Sequence, residues 1–222
     1  MQEVKVVFTK DGSKTLYVPN LDEHYHSIHG AINEARHVYI KHGLKPLTQS
    51  SLKVLEVGFG TGLNTFLTFI ESLETRQNID YVAVENSPLN YDLIEPLEYP
   101  VQLEVKKYES IFKHMHDCHW NEQIFVSNNF FLNKHYGSIE TLKLDKSIDL
   151  VFYDAFGPRA QKEMWTEDCF YCLSHFLNNN AILVTYCANG QVKRTLKDIG
   201  FVVETLDGPP GKREMIRAKW MA

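Results

Sequence analysis

The chain has 222 residues, 44% of them hydrophobic and 23% charged, with a formal net charge of −5. These proportions exclude a disordered or fibrous chain and leave room for one α/β domain with a substantial core. The negative balance excludes a generally basic nucleic-acid binder, so any RNA contact has to be local.

The chain opens with the alternating run Val4-Lys5-Val6-Val7-Phe8, turns at Asp11-Gly12 and resumes at Thr15-Leu16-Tyr17-Val18, which predicts a hairpin. From Gly30 to Leu44 the residues Ile32, Ala35, Val38 and Tyr39 recur at helical spacing and stop near Gly43, which predicts a helix. After Pro46, short apolar runs alternate with helical segments, the pattern of repeated βαβ units. Strands are expected at Lys53 to Val57, Tyr81 to Val84, Ile148 to Tyr153, Ala181 to Tyr186 and Phe201 to Thr205. Ile124 to Val126 and Phe130 to Leu132 flank Ser127-Asn128-Asn129 as a second hairpin, whose second arm supplies the third sheet strand. A last strand, Glu214 to Lys219, follows its predecessor too closely for a helical crossover and should be antiparallel to it.

No stretch approaches the ~18 apolar residues of a membrane span. Met1-Gln2-Glu3-Val4-Lys5 opens no signal peptide, and the four cysteines Cys118, Cys169, Cys172 and Cys187 are too irregularly spaced for a disulfide framework. A cytoplasmic protein with reduced thiols is expected.

Chemistry concentrates in Leu55-Glu56-Val57-Gly58-Phe59-Gly60-Thr61-Gly62-Leu63-Asn64, three glycines at alternate positions between a buried strand and a helix. Dinucleotide proteins space their glycines as G-x-G-x-x-G; the last glycine comes one residue early here, which favours S-adenosylmethionine over a nicotinamide cofactor. Glu85 closes the next strand, where a carboxylate accepts both ribose hydroxyl hydrogens of an adenosine ligand. Asp154-Ala155-Phe156-Gly157-Pro158 ends the fourth strand at the carboxyl edge of the sheet, where open α/β folds bind ligands.

Other constellations point less clearly. His114, His116, Cys118 and His119 have metal-ligand side chains but crowd into six residues without a distant partner motif, so no metal is expected. Cys169 and Cys172 lie on a helical run and are expected as core thiols. Residues 190–222 carry seven basic against four acidic side chains, and Lys193, Arg194, Lys212 and Arg213 form the basic cluster that could meet phosphate.

Several of these segments together resemble the MnmC-like methyltransferase family, the methyltransferase domain of the bacterial tRNA 5-methylaminomethyl-2-thiouridine biosynthesis proteins. The likeness runs through Tyr25-His26-Ser27, Gly30 to Tyr39, the glycine segment, Glu85-Asn86-Ser87-Pro88-Leu89, Asp154 to Pro158, Met164-Trp165-Thr166 and Gly211-Lys212-Arg213-Glu214-Met215. The resemblance implies a class I, Rossmann-like α/β fold with a mostly parallel seven-stranded sheet, an antiparallel last strand and an N-terminal hairpin extension. It implies a single domain over residues 1–222, of which residues 1–46 form the extension, without an FAD oxidase domain.

The implied activity is methyl transfer from S-adenosylmethionine to the amine of 5-aminomethyl-2-thiouridine at the tRNA wobble position, with Asp154 as the catalytic residue. Glu56, Gly58, Gly60, Thr61, Gly62, Asn64, Glu85, Asn86, Ser138, Asp154 and Phe156 are the implied cofactor contacts. Tyr25, Glu34, Arg36, Pro158, Lys212 and Arg213 are the implied substrate contacts, and tRNA and a separate FAD-dependent oxidase, or another supplier of the aminomethyl group, the implied partners. Relatives commonly have Gly-Asp where this chain has Gly137-Ser138, so a hydroxyl replaces the carboxylate expected at the adenine. Two other functions remain open: a methyltransferase of the same fold acting on a small amine or a protein side chain, and a catalytically silent RNA-binding or partner-binding module.

Overall fold

The structure is a computed structural model and describes residues 3–145 and 147–221. The N-terminal hairpin forms as expected, from β1 (Lys5–Phe8) and β2 (Lys14–Val18), with Val6 opposite Leu16. Asp11 shapes its turn by accepting from the Thr9 hydroxyl at 2.6 Å and the Ser13 backbone N–H at 3.0 Å. A two-residue strand, β3 (Glu23–His24), pairs back on β2, so the extension is a three-stranded sheet rather than a plain hairpin.

The helix that follows starts as α1 (Ala31–Ala35) and continues without a break as a π-helical segment, Arg36–Leu44. Its closing bond runs from the Lys45 N–H to the Ile40 carbonyl, five residues back, at 2.9 Å. The apolar spacing specifies a helix here and carries no sign of the wider turn; Tyr39 and Gly43, four residues apart, both face the sheet. Tyr39 packs on Phe152 with ring centroids 5.2 Å apart.

The remaining elements are β4 (Ser51–Val57), α2 (Leu63–Thr75), β5 (Asn78–Glu85), the short helices α3 (Tyr91–Ile94) and α4 (Tyr99–Gln102), α5 (Glu109–Asp117), β6 (Gln123–Ser127), β7 (Phe130–Tyr136), β8 (Ile148–Tyr153), α6 (Glu167–Ser174), β9 (Leu177–Thr185), α7 (Gly190–Asp198), β10 (Phe201–Asp207) and β11 (Glu214–Trp220). The strands lie in the order β10-β11-β9-β8-β4-β5-β7-β6. The sheet therefore has eight strands, not the seven expected. The first arm of the second hairpin, β6, hydrogen-bonds antiparallel to β7 and extends the sheet by one edge strand. From β7 through β5, β4 and β8 to β9 every pairing is parallel, and β11 runs antiparallel between β9 and β10, as its short connection requires.

Strand residues alternate between two cores. Leu52, Val54, Tyr81, Ala83 and Phe152 face α1, α2 and α5, whereas Leu55, Val57, Val82, Val84 and Val151 face α6 and α7. Glu56 falls on the first of these faces, where it is completely buried. Among the described residues no helix is long and apolar enough to cross a membrane.

Gly43 fixes how closely the first helix approaches the sheet. A Cβ there would lie 2.9 Å from Val184 Cγ2 and 3.0 Å from Phe152 Cε1. Replacing a helical glycine by alanine ordinarily stabilises by about 1 kcal/mol, but overpacking a filled core costs about 1–3 kcal/mol. Gly43→Ala should therefore lower the thermal midpoint, by about 2–4 °C for each kcal/mol lost. An unchanged or raised midpoint would show that the helix is not seated this tightly.

Candidate active site

A cleft of about 550 Å³ opens at the carboxyl ends of β4, β5, β7 and β8, roofed by residues 21–28 of the N-terminal extension. Its floor is set by two chain segments that leave β4 and β8 side by side. The Asp154 N–H donates to the Val57 carbonyl at 2.9 Å and the Gly58 N–H to the Val84 carbonyl at 2.9 Å. Gly58 has φ +94, and a Cβ built on it would lie 2.7 Å from the Asp154 carbonyl oxygen. Only glycine accommodates both that dihedral angle and that approach.

Glu85 stands opposite. Its carboxylate accepts from the Gly60 N–H at 3.1 Å and the Ser87 N–H at 2.8 Å, which fixes it at the cleft wall. α2 begins at Gly62 without a side-chain cap, but residues 61–64 are buried and do not line the cleft. Together, an acceptor-only carboxylate at the end of β5 and the bare backbone of Gly58 and Gly60 fit an adenosine ligand. The donor set suits S-adenosylmethionine.

Asp154 is the most constrained side chain in the cleft. Tyr39 donates its hydroxyl to Oδ1 at 2.6 Å and Asn64 donates its amide to Oδ2 at 2.7 Å. Burial pushes the carboxyl up to about 7, and the nearby Glu34 carboxylate adds to this, while the two hydrogen bonds and Lys212 pull the other way. Glu34, only 4% exposed, accepts from the Ser27 N–H at 2.9 Å and is ion-paired with Lys212. The Lys212 ammonium also sits 3.8 Å over the Tyr186 ring, whose hydroxyl donates to the Ala155 carbonyl at 2.9 Å. On the roof, Tyr25 meets Phe156 edge to face, with centroids 5.0 Å apart.

Of the residues singled out in the sequence, Tyr25, Glu34, Gly58, Gly60, Glu85, Asn86, Ser138, Asp154, Phe156 and Lys212 line this cleft. Seven others do not. Glu56 points to the helix side of β4 and accepts from the Thr65 hydroxyl at 2.7 Å. Thr61 is turned beneath the roof against His26, 2.7 Å away, whose imidazole is kept neutral because burial pushes it down to about 4. Gly62 packs on His116 at the start of α2, and Asn64 lies behind Asp154. Arg36 is exposed on the outer side of its helix, Pro158 lies beyond the cleft wall, and the Arg213 side chain is 92% exposed.

His26, Ser27 and Tyr39 lie in segments that carry the family resemblance, and Tyr186 stands one residue past the end of β9 at the ligand-binding edge, but no local pattern gives any of the four a role in the cleft.

The basic cluster is partly neutralised from within. Lys193 pairs with Glu214 at 2.6 Å and Lys212 with Glu34, while Arg194 and Arg213 face solvent, Arg213 with a longer contact of 3.5 Å to Glu214. His114 and His119 are exposed, whereas His116 packs among Phe59, Phe112 and Tyr91. Among the described residues no group of three or more His, Cys, Asp or Glu is arranged to hold a metal. Cys169 Sγ lies 3.2 Å from the Tyr153 hydroxyl in the second core, apart from Cys172.

The contact between the two floor segments can be tested directly. Gly58→Ala should destabilise the fold by about 1–3 kcal/mol through backbone strain and abolish detectable S-adenosylmethionine binding by calorimetry. Wild-type stability and affinity in that variant would mean that β4 and β8 do not part this closely.

A family model described as S-adenosyl-L-methionine-dependent methyltransferase matches residues 101–221, more than half of the chain. The chain is 24% identical to the tRNA 5-methylaminomethyl-2-thiouridine biosynthesis bifunctional protein MnmC of Hydrogenovibrio crunogenus, with 97% of this chain aligned. It is 27% identical to the protein of the same name from Idiomarina loihiensis over 90% of its length, and 28% identical to that of Pseudoalteromonas atlantica over 95%. It spans about a third of the length of these curated relatives: 34%, 36% and 32%. Among solved structures, MNMC2 from Aquifex aeolicus superposes with a TM-score of 0.81 at 23% identity, covering 100% of this chain and 71% of that one, which shows a shared fold. With a cleft whose donors suit that cofactor and a family model covering more than half its length, the chain belongs to the S-adenosyl-L-methionine-dependent methyltransferases.

Proposed function

We propose that this protein methylates the amine of 5-aminomethyl-2-thiouridine at the wobble position of tRNA. The names of its relatives support the acceptor. The observation that carries the chemistry is Asp154, clamped at both oxygens by Tyr39 and Asn64 beside the glycine turn. Bound S-adenosylmethionine supplies an electrophilic methyl group on a sulfonium. Gly58 and Gly60 would lie against it, Glu85 would take its ribose hydroxyls, and Asn86 and Ser138 would border the adenine. Asp154 would accept a proton from the incoming ammonium, freeing the nitrogen lone pair, and a remaining amine N–H would donate to its carboxyl oxygen, so that the lone pair points at the methyl group, which leaves the sulfonium as a neutral thioether when the S–C bond breaks. Phe156 walls the reacting centre, while Tyr25, Glu34 and Lys212 border the acceptor side. No activated serine or cysteine is needed, because a neutral amine is already nucleophilic.

In this reading residues up to 46 are an extension of a single methyltransferase unit, placed to roof the acceptor. Arg213, with Arg194, is left to meet RNA phosphate. The protein works in the cytoplasm, and an FAD-dependent oxidase or another enzyme supplies the aminomethyl group.

Nucleoside analysis of tRNA incubated with the protein and S-adenosylmethionine tests this directly. Aminomethyl-thiouridine should be consumed and its methylated form should appear; methyl gain on another nucleoside would contradict the proposed acceptor. Asp154→Ala should cut turnover by about a hundredfold or more while changing cofactor affinity far less. Because the Asp154 carboxyl is pushed up to about 7 and acts ionised, kcat/KM should rise as the pH passes through that value. Asp154→Asn should lose this dependence.

A second reading, transfer to a small amine or a protein side chain, is favoured by the internal pairing of Lys193 and Lys212, which removes half of the basic cluster from RNA. Salt separates the two. Phosphate contacts make acceptor affinity fall steeply with ionic strength, whereas a small acceptor binds almost independently of it.

A further inference from the structure

Behind Asp154, away from the cleft, lies a polar cluster that the proposed chemistry does not use. Glu56 Oε1, Asn64 Oδ1 and Tyr81 Oη are all buried without a hydrogen-bond partner. The Asn64 carboxamide and the Tyr81 hydroxyl both neighbour the Glu56 carboxyl. Asn64 gives one N–H to Asp154 Oδ2, and its Oδ1, which can only accept, is unmet. Glu56 Oε2 is occupied by the Thr65 hydroxyl, and its other oxygen is also an acceptor when ionised. Two unmet acceptors on neighbouring buried side chains are costly, and one proton between them satisfies both. Tyr81 can donate to Glu56, but that would leave Asn64 Oδ1 unmet.

We infer that Glu56 is a protonated positioning residue: its carboxyl O–H donates to Asn64 Oδ1 and thereby turns the Asn64 N–H onto Asp154. This rests on the reading of Asp154 given above and extends it one residue inward. The groups facing Glu56 are Thr65 and Asn64 from α2, Tyr81 from β5 and Asp154 beyond the end of β8; the π-helical segment contributes Tyr39, which bonds Asp154. None is cationic. Its neighbours across the sheet, Ala83 and Phe152, are apolar. Burial accordingly pushes the Glu56 carboxyl up to about 8, and Asp154 adds to this. Above that pH Glu56 becomes acceptor-only, the carboxamide turns to serve it, and Asn64 presents its oxygen to Asp154. The clamp on Asp154 is then replaced by repulsion.

Two measurements test this, one of which needs no acceptor. In wild-type protein the Asn64 side-chain N–H₂ signals, assigned by their loss in Asn64→Asp, should shift in NMR spectra with a midpoint near pH 8. In Glu56→Gln, whose amide donates to Asn64 as the acid does, that shift should vanish. Signals in wild type that stay put between neutral and alkaline pH would overturn the proposal whatever the acceptor is. In the methyl-transfer assay Glu56→Leu should lower turnover about tenfold through loss of one buried hydrogen bond. Glu56→Gln should recover most of that rate and lose the wild-type decline above about pH 8. An alkaline decline that persists in Glu56→Gln would also overturn it. A missing methyl signal on tRNA with the NMR titration intact would count only against the acceptor.

Discussion

The arrangement of the cleft depends on one close contact, the passage of Gly58 against the Asp154 carbonyl. Parallel pairing sets Val57 opposite Tyr153, so the chain leaves both strands at the same height. One segment then has to be bare backbone for the other to carry a functional carboxyl past it. With Gly58 at that point, the turn of residues 58–62 spreads toward Glu85 on one side while Asp154 looks into the cleft on the other. A side chain at position 58 would push the two apart, and the clamp from Tyr39 and Asn64 could no longer reach both oxygens of Asp154. The N-terminal extension completes the enclosure: its helix delivers Tyr39 and Glu34, and its short strand β3 and following loop bring Tyr25 and His26 over the opening.

Charge in the cleft is arranged around carboxylates rather than cations. The Lys212 ammonium pairs with Glu34 and acts on Asp154 only through space, and Glu56 lies just behind them. Crowding and burial together keep the proton affinity of Asp154 high, which suits a group that takes a proton from an amine near neutrality. Lys212 also ties the loop between β10 and β11 to the first helix across 178 residues of sequence. It thus acts as a structural strut as well as a border of the acceptor side, and its charge is not free for RNA.

Much of this was legible from local pattern. Alternating apolar residues located the sheet strands, glycine spacing marked the turn whose Gly58 and Gly60 line the cleft, and Glu85 and Asp154 were marked by standing at strand ends. The edge strand β6 was read as a hairpin arm, yet its membership of the sheet depended on where β7 would pair. Glu56 was misassigned for a reason the sequence does contain. It alternates with Leu55 and Val57 and so shares the face of Val54 and Leu52, beneath α2 rather than toward the cleft. The placement of Tyr39 arises from packing on Phe152, and the Glu34–Lys212 pair joins distant parts of the chain. Neither leaves a short-range signature.

In the proposed reaction the donor sulfur would sit over the turn at residues 58–62, facing Asp154. A crystal structure of the protein with S-adenosylhomocysteine measures this most directly. The account predicts ribose hydroxyls on Glu85 and the sulfur between the glycine turn and the Asp154 carboxyl. A ligand lodged elsewhere, or bound with Glu85 turned away from it, would contradict the account.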